Sequence, residues 1–147
     1  MQIKSVDNDQ KSFLVVLAAG EELIESLLAF ADQHADGRYV NFTGVGAISG
    51  AHLLAFDFDK GRYEDSVVLD EQAEIAALTG NIGQFEGKPL VHAHLVIGRL
   101  NGSALGGHVQ QAHIRPTCEI ILRIHDQRAV KEIDPQWNAP LYRLDES

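Results

Sequence analysis

The sequence predicts a single domain that combines several β-strands with one N-terminal helix. The length of 147 residues suits one domain with a substantial core. Many short segments alternate apolar and polar side chains, as strands do, while one segment near the N-terminus repeats its apolar side chains at helical spacing. Hydrophobic residues form 45% and charged residues 22% of the chain, which is typical of a soluble globular protein.

The first predicted elements are a strand and a helix. Residues 1–10 are polar, and we expect them to be loosely held. Residues 12–18 form an apolar run rich in β-branched side chains, which predicts a buried strand. The acidic pair at residues 21–22 favours the first turn of a helix, and apolar side chains follow at helical spacing over residues 23–31. We expect this helix to end before Asp36-Gly37.

Turns and glycines divide the middle of the chain into strands. Residues 38–58 indicate two strands with a kink, because the glycines of residues 44–50 favour a bulge or a close contact with another subunit. Residues 63–69 leave a turn as a further strand. Residues 72–79, by contrast, have a helix-forming composition.

Two histidines lie on one face of a predicted strand. Residues 91–97 alternate as a strand does, so His92 and His94 point to one side while Ala93 and Leu95 point to the other. The rise of a strand separates the two histidine backbones by roughly 6–7 Å. At that spacing two imidazoles can reach one metal ion.

A hairpin connects this strand to the next one. Asn101-Gly102 is a strong hairpin signal, and residues 106–114 resume an extended pattern. A two-residue loop at Asn101-Gly102 would place His108 on the face opposite His94, because side chains alternate along a strand.

Two features would bring His108 to the same face as His94. One is a loop with an odd number of residues, and the other is a bulge at Gly106-Gly107, which a glycine pair favours. We expect this even register, so that His92, His94 and His108 converge. His113 has the wrong strand parity to join them.

Three converging imidazoles predict a site for zinc or a similar divalent ion, with a fourth position open for water or substrate. Imidazole also suits copper, nickel and iron, so the ligands alone do not select the metal. The alternative is that His92, His94 and His108 are ordinary polar side chains on the solvent face of an antiparallel sheet.

Five short motifs carry a family resemblance. They are residues 44–51 (GVGAISGA), 80–83 (GNIG), 87–94 (GKPLVHAH), 106–108 (GGH) and 116–120 (PTCEI). In this order they resemble the prokaryotic PPC domain ("plants and prokaryotes conserved"), and the resemblance covers about residues 12–123. The same domain follows AT-hooks in plant nuclear proteins. The resemblance implies an α+β domain with a largely antiparallel sheet, in which residues 72–79 form a strand.

The resemblance also implies an assembly and a division of the chain. It implies a homotrimer, a histidine cluster that can hold a metal, and the DNA-binding label that such proteins commonly receive. We expect the PPC-like domain to cover residues 10–125. Residues 126–147 then form a C-terminal tail that packs on the body or on a neighbouring subunit, anchored by Trp137, Leu141 and Tyr142.

The spacing of residues defines no catalytic constellation, but two residues are candidates. Glu119 lies between apolar residues on a strand, so it is either a buried, partnered carboxylate or a general base near the metal. Arg115 could partner Glu119 or bind an anionic substrate. A metal-bound water would make a hydrolase or lyase conceivable. Whether the protein is an enzyme stays open, and a small-molecule ligand is the other use of such a site.

The net charge disfavours nucleic acid as a partner. Twelve basic and 21 acidic side chains give −9 at pH 7. Phosphate contacts from Lys and Arg supply most non-specific DNA affinity, so an acidic chain opposes it. Arg99, Arg115 and Arg123 could still form a local basic patch. A DNA-regulatory protein and a protein-interaction module without metal are therefore the two alternatives to the metal-binding trimer.

Sequence patterns indicate a cytoplasmic protein. No run of about 18 apolar residues predicts a membrane span, and residues 1–7 lack the pattern of a signal peptide. The single cysteine, Cys118, lies in an apolar run, which predicts a buried structural thiol and suits a reducing compartment.

Overall fold

The computed structural model describes residues 1–144, which form a nine-stranded sheet and one α-helix. The elements in chain order are β1 (Gln2–Ser5), β2 (Ser12–Ala18), α1 (Leu23–Phe30), a π-helical turn (Ala31–Ala35), β3 (Val40–Asp57), β4 (Arg62–Leu69), β5 (Ala73–Phe85), β6 (Lys88–Gly98), β7 (Ala104–Ile124), β8 (Val130–Asp134) and β9 (Ala139–Tyr142). Strand pairing among these residues is antiparallel, except between β5 and β8. The predicted α+β fold, with a largely antiparallel sheet and one N-terminal helix, is confirmed.

Four strands of this sheet close a circuit. β3 pairs with β5, β5 with β6, and β6 with the first residues of β7. β7 then returns to β3 and pairs with it over most of its length. Because β3 and β7 are long and bent, each forms part of two sides of the circuit. The side chains that point into the circuit form the core.

Alternation along the strands separates a buried inner face from an outer face. On β6, Ala93, Leu95 and Ile97 are buried, as the sequence predicts. Burying a side chain of leucine size contributes about 1.5–3 kcal/mol, so a slip of one residue in this strand would be strongly disfavoured. α1 adds its apolar stripe to the same core through Leu23, Leu27 and Phe30.

The glycine-rich segment of β3 is where this strand bends. Its pairing shifts register between Gly44 and Gly46 and again before Gly50. A Cβ atom on Gly46 would lie 2.4 Å from the carbonyl oxygen of Thr117 on β7. The predicted kink is therefore present, but it lies within one continuous strand, and the close approach that the glycines allow is between β3 and β7 of one chain.

The N-terminal residues are more ordered than their composition suggests. Gln2–Ser5 forms β1 and pairs with residues 13–16 of β2. The backbone N–H of Lys11 donates to the Asp7 carboxylate at 3.0 Å in the connecting turn. The prediction of a loose segment over residues 1–10 is wrong, because β2 offers it a free edge.

Strand β5 includes a segment whose composition favours a helix. Ala73 and Ile75 are buried at strand spacing, and after a register shift Leu78 and Ile82 continue the buried face. The bulge disturbs the alternation that would have marked residues 72–79 as a strand. The strand that the family resemblance implied is the one observed.

The described part of the C-terminal tail packs on the body of its own chain. β8 and β9 form a hairpin, and β8 continues the sheet beside Gln84 at the end of β5. The Trp137 ring contacts that of Phe58 with their centroids 5.7 Å apart. The Tyr142 hydroxyl donates to the Asn81 side-chain oxygen at 2.5 Å. Leu141 is exposed and is not an anchor. The end of the predicted tail, residues 145–147, lies outside the described residues.

The single thiol is structural. Cys118 is fully buried on the inner face of β7. Burial raises the pKa of the Cys118 thiol to about 12, with the nearby Glu119 charge adding to the effect. The thiol is therefore protonated at neutral pH, which agrees with the sequence interpretation.

Gly80 supplies a test of the β5–β6 pairing that carries the histidines. A Cβ atom at Gly80 would lie 2.4 Å from the carbonyl oxygen of His92 and 2.4 Å from Cζ of Phe42. We expect Gly80→Ala to lower the free energy of unfolding by about 2–3 kcal/mol, because overpacking forces the backbone to shift. Urea unfolding at one protein concentration measures this loss.

Gly98→Ala is the matched control on the neighbouring strand. A Cβ atom there would meet only Cβ atoms of Glu74 and Ala76, at 3.8 and 3.9 Å. We expect its unfolding midpoint to stay close to that of the parent chain. Equal midpoints for Gly80→Ala and Gly98→Ala would show that the close approach at Gly80 does not constrain the pairing.

Candidate metal centre

Strand β6 presents two histidines on the outer face of the circuit. His92 and His94 alternate with the buried Ala93 and Leu95, so both imidazoles leave the sheet on the same side. Their ring centroids are 5.1 Å apart. Asn81 pairs directly with His92 and Thr79 with His94 across the β5–β6 ladder, which fixes the position of both backbones.

The β6–β7 hairpin brings the third histidine to the same place. Gly98 pairs with Ala104, so residues 99–103 form the loop and the register is even. His94 therefore lies directly opposite His108. The His108 ring centroid is 5.3 Å from that of His92 and 5.7 Å from that of His94. The loop has an odd number of residues, and this produces the register that we expected. The β6–β7 pairing itself contains no bulge.

The three side chains lie close enough together that they could hold one shared ion. One ring nitrogen from each of His92, His94 and His108 lies within 4.8 Å of the other two. Zinc–nitrogen distances of 2.0–2.1 Å in a tetrahedral site imply nitrogen separations of roughly 3.3 Å. The difference is small enough for side-chain rotation to close, since the three backbones already lie side by side.

His108 carries a nitrogen that lacks a partner. Its Nδ1 atom is buried and accepts or donates no hydrogen bond within residues 1–144. Buried polar atoms are normally satisfied, so an unpartnered nitrogen on an imidazole beside two other imidazoles fits a residue that could hold an ion. The Tyr63 ring covers the other side of His108, with the ring centroids 4.4 Å apart.

Burial keeps two of the imidazoles neutral, which is the form that binds a metal. It lowers the pKa of His108 to about 4, with the charges of His92, His94 and Lys131 acting in the same direction. Burial also lowers the pKa of His92, and the charges of Lys131 and His94 lower it further. Lone pairs are therefore available at neutral pH.

The histidines open onto a cavity on the outer face. The cavity has a volume of about 360 Å³, and its walls include Asn41, Thr79 and Asn81 beside His92 and His94. The amide and hydroxyl groups in this wall can orient a small polar molecule beside His92 and His94.

The structure does not bring the predicted catalytic residues to this cluster. Glu119 is exposed and pairs with Val45 on β3, so β3 and β5 separate it from β6. The interpretation of Glu119 as a buried, partnered carboxylate is wrong, because its side chain points outward between two buried neighbours. Arg115 is also exposed, and it lies on β7 beyond the bend that follows His108.

Two further histidines, His52 and His113, lie outside the cluster. His113 is exposed and pairs with Gly50 on β3. Nε2 of His52 lies 2.7 Å from the Asp65 carboxylate, so this histidine has its own partner.

Sequence reasoning missed Lys131, which lies close enough to the cluster for its charge to lower the pKa of both His92 and His108. Lys131 is on β8, in the segment expected to be a tail. Its neighbours in the sequence show no pattern that would have indicated proximity to residues 92–108. The only signal was that a strand-like segment contains a lysine, which is too common to single it out.

The chain matches a known domain family. The Plants and Prokaryotes Conserved (PCC) domain matches residues 4–126. The chain therefore belongs to this family, the PPC family that its motifs resemble. Comparison with curated proteins gave no match. Within residues 1–144, no helix is long and apolar enough to cross a membrane.

Three solved structures share the fold. A proposed DNA-binding protein from Bacteroides thetaiotaomicron is 27% identical over 97% of this chain and 96% of that one, with a TM-score of 0.88. A protein described as metal-containing, from Archaeoglobus fulgidus, is 26% identical over 91% and 94%, with a TM-score of 0.83. A plant- and prokaryote-conserved protein from Pyrococcus horikoshii is 23% identical over 92% and 94%, with a TM-score of 0.82.

Proposed function

We propose that this PPC-domain protein is a homotrimer that binds one divalent metal ion of the zinc class per chain through His92, His94 and His108. The observation that supports this most directly is the convergence of one ring nitrogen from each of the three imidazoles to within 4.8 Å of one another. In addition, the buried Nδ1 atom of His108 has no hydrogen-bond partner within residues 1–144. The similar protein from Archaeoglobus fulgidus is described as metal-containing, which agrees with the proposal.

The proposed role of the ion is to serve a small-molecule or catalytic site. A zinc-class ion held by three imidazoles keeps one coordination position for water or a ligand and acts as a Lewis acid. The cavity beside the histidines gives a small molecule access to that position. Glu119 and Arg115 stay candidates for catalysis only across a subunit interface, because β3 and β5 separate Glu119 from β6 within the chain.

We also propose the boundaries and location expected from the sequence. Residues 10–125 form the PPC-like domain and residues 126–147 the tail, whose described part packs on β5. A cytoplasmic location suits a chain whose single thiol is buried and reduced.

Exposed apolar side chains on the outer face support an assembly of several subunits. Val45 is 57%, Ile121 46% and Val96 41% exposed, and all three lie on outer faces of β3, β7 and β6. Contiguous apolar surface of this kind commonly marks an interaction site. A homotrimer would cover it with further copies of the same chain.

Metal analysis tests the three-histidine site. Protein purified without a chelator and without a histidine tag is expected to carry about one zinc-class ion per chain. His94→Ala removes the central ligand, and we expect it to lose most of the ion. Elemental analysis after gel filtration measures both stoichiometries.

His113→Ala is the matched control, because His113 is an exposed histidine of β7 outside the cluster. It should retain the ion. Full occupancy in the double variant His92→Ala, His94→Ala would refute the site. Absence of metal from the parent protein would instead favour a protein-interaction module without metal.

Light scattering tests the assembly. At micromolar concentration we expect about three times the chain mass, because the exposed apolar face needs a partner. Replacing Val45 with aspartate should shift the protein towards smaller species, since a charge buried in an interface is costly. A monomeric parent protein would contradict the proposed trimer.

DNA binding is the second candidate function, because the Bacteroides thetaiotaomicron protein is described as a proposed DNA-binding protein. The charges of this chain argue against it. Arg99 contacts the Glu71 carboxylate at 2.6 Å, and Arg123 lies 3.9 Å from that of Asp7. Two of the three arginines that could form a basic patch are thus beside acidic partners.

We therefore expect no duplex binding tighter than about 10⁻⁴ M at physiological salt, the weak end of non-specific affinity. A trimer would carry three times the chain's charge of −9, and phosphates would repel it. Fluorescence anisotropy across a salt series measures the affinity. Sub-micromolar, salt-sensitive binding by this chain alone would move DNA regulation to first place.

A further inference from the structure

Lys131 is a buried cation without an anionic partner in the described chain. Its side chain is 5% exposed. Within residues 1–144, no carboxylate oxygen lies within 4.0 Å of its Nζ atom. The partly buried Lys11, by comparison, contacts the Asp126 carboxylate at 2.7 Å. Burying an ammonium group without a counter-charge is costly, so an anion from outside the chain would stabilise Lys131.

The contacts of Lys131 place its ammonium group beside Tyr142, which in turn contacts a residue paired with the histidine strand. Nζ lies 4.7 Å from the centroid of the Tyr142 ring, in a cation–π arrangement. The hydroxyl group of Tyr142 donates to Asn81, and Asn81 pairs directly with His92. Lys131, Tyr142 and Asn81 thus form a continuous set of contacts that ends at the first of the three histidines.

The direction of the histidine pKa shifts agrees with this proximity. The charge of Lys131 acts on both His92 and His108, which lie on different strands. The Lys131 pKa is itself lowered by burial.

We propose that Lys131 binds the negative group of a small carboxylate ligand beside His92, His94 and His108. This inference rests on the proposed metal site and names the chemical class of its ligand. A carboxylate has two oxygens, so one can accept from the Lys131 ammonium while the other is left for the ion. One lysine supplies one positive charge, which matches a carboxylate better than a phosphate dianion. The cavity beside His92 and His94, whose wall includes the Asn81 that Tyr142 contacts, has a volume of about 360 Å³ and is large enough for a small organic acid.

Paramagnetic line broadening tests the proposal without an activity assay. The protein is loaded with Co²⁺, and acetate is added as the probe. A carboxylate held beside the ion should show a broadened methyl-proton resonance. Acetamide has nearly the same shape and no charge, so we expect it to broaden much less. Equal broadening by acetate and acetamide in the parent protein would overturn the proposal without any variant.

Lys131→Met keeps the length of the side chain and removes its charge. We expect acetate to bind this variant about tenfold or more weakly, the usual loss for a charge-assisted hydrogen bond, while Co²⁺ is retained. Lys88→Met is the matched control, because Lys88 is an exposed lysine at the start of β6. It should bind acetate as the parent protein does. Unchanged acetate affinity in a folded Lys131→Met protein would refute the role of Lys131.

The same measurements separate this inference from the metal site itself. Failure of the parent protein to bind Co²⁺ would refute the three-histidine site, and the inference with it. Bound Co²⁺ without a response to acetate would refute the inference alone. Stronger broadening of the phosphorus resonance of inorganic phosphate than of the acetate methyl resonance would overturn the assignment to carboxylates.

Discussion

The pairing of β3 with β7 is the constraint on which the rest of the structure depends. These two strands are long enough to serve on two sides of the circuit, but only because they bend, and they bend where glycines remove the Cβ atoms that would collide. The bend at Gly44 and Gly46 lets the second half of β7 lie beside the first half of β3. It also leaves the first residues of β7 free to meet β6, which places His108 opposite His94.

The fold and the histidine cluster could be predicted largely from the sequence, because both follow from alternation along strands. The parity of His92 and His94 was readable from β6 alone. The register that adds His108 was not, since Asn101-Gly102 fits more than one loop length and only the observed loop of residues 99–103 decides between them. The interpretation of Glu119 as a buried carboxylate was wrong for a related reason. Apolar neighbours indicate a strand, but they do not show which of its faces packs against the core.

The position of Lys131 beside the histidines could not be predicted from the neighbouring sequence. Its position beside the cluster depends on the parallel pairing of β8 with β5 and on the Tyr142 contact with Asn81, both of which join segments distant in the sequence. The composition of residues 126–147 indicates neither the pairing of β8 with β5 nor the contact of Tyr142 with Asn81. The same applies to β1, whose order comes from the edge of β2 and not from its own polar residues.

The residues of the proposed site come from two separate parts of the chain, which bears on how its ligand preference could change. The three imidazoles belong to one hairpin, β6–β7, whereas the cation comes from the separate β8–β9 hairpin. Substitutions in the second hairpin would change the charge and shape beside the proposed metal site while His92, His94 and His108 stay in place. Under the proposed function, ligand preference could therefore change through the C-terminal hairpin while the three histidines are kept.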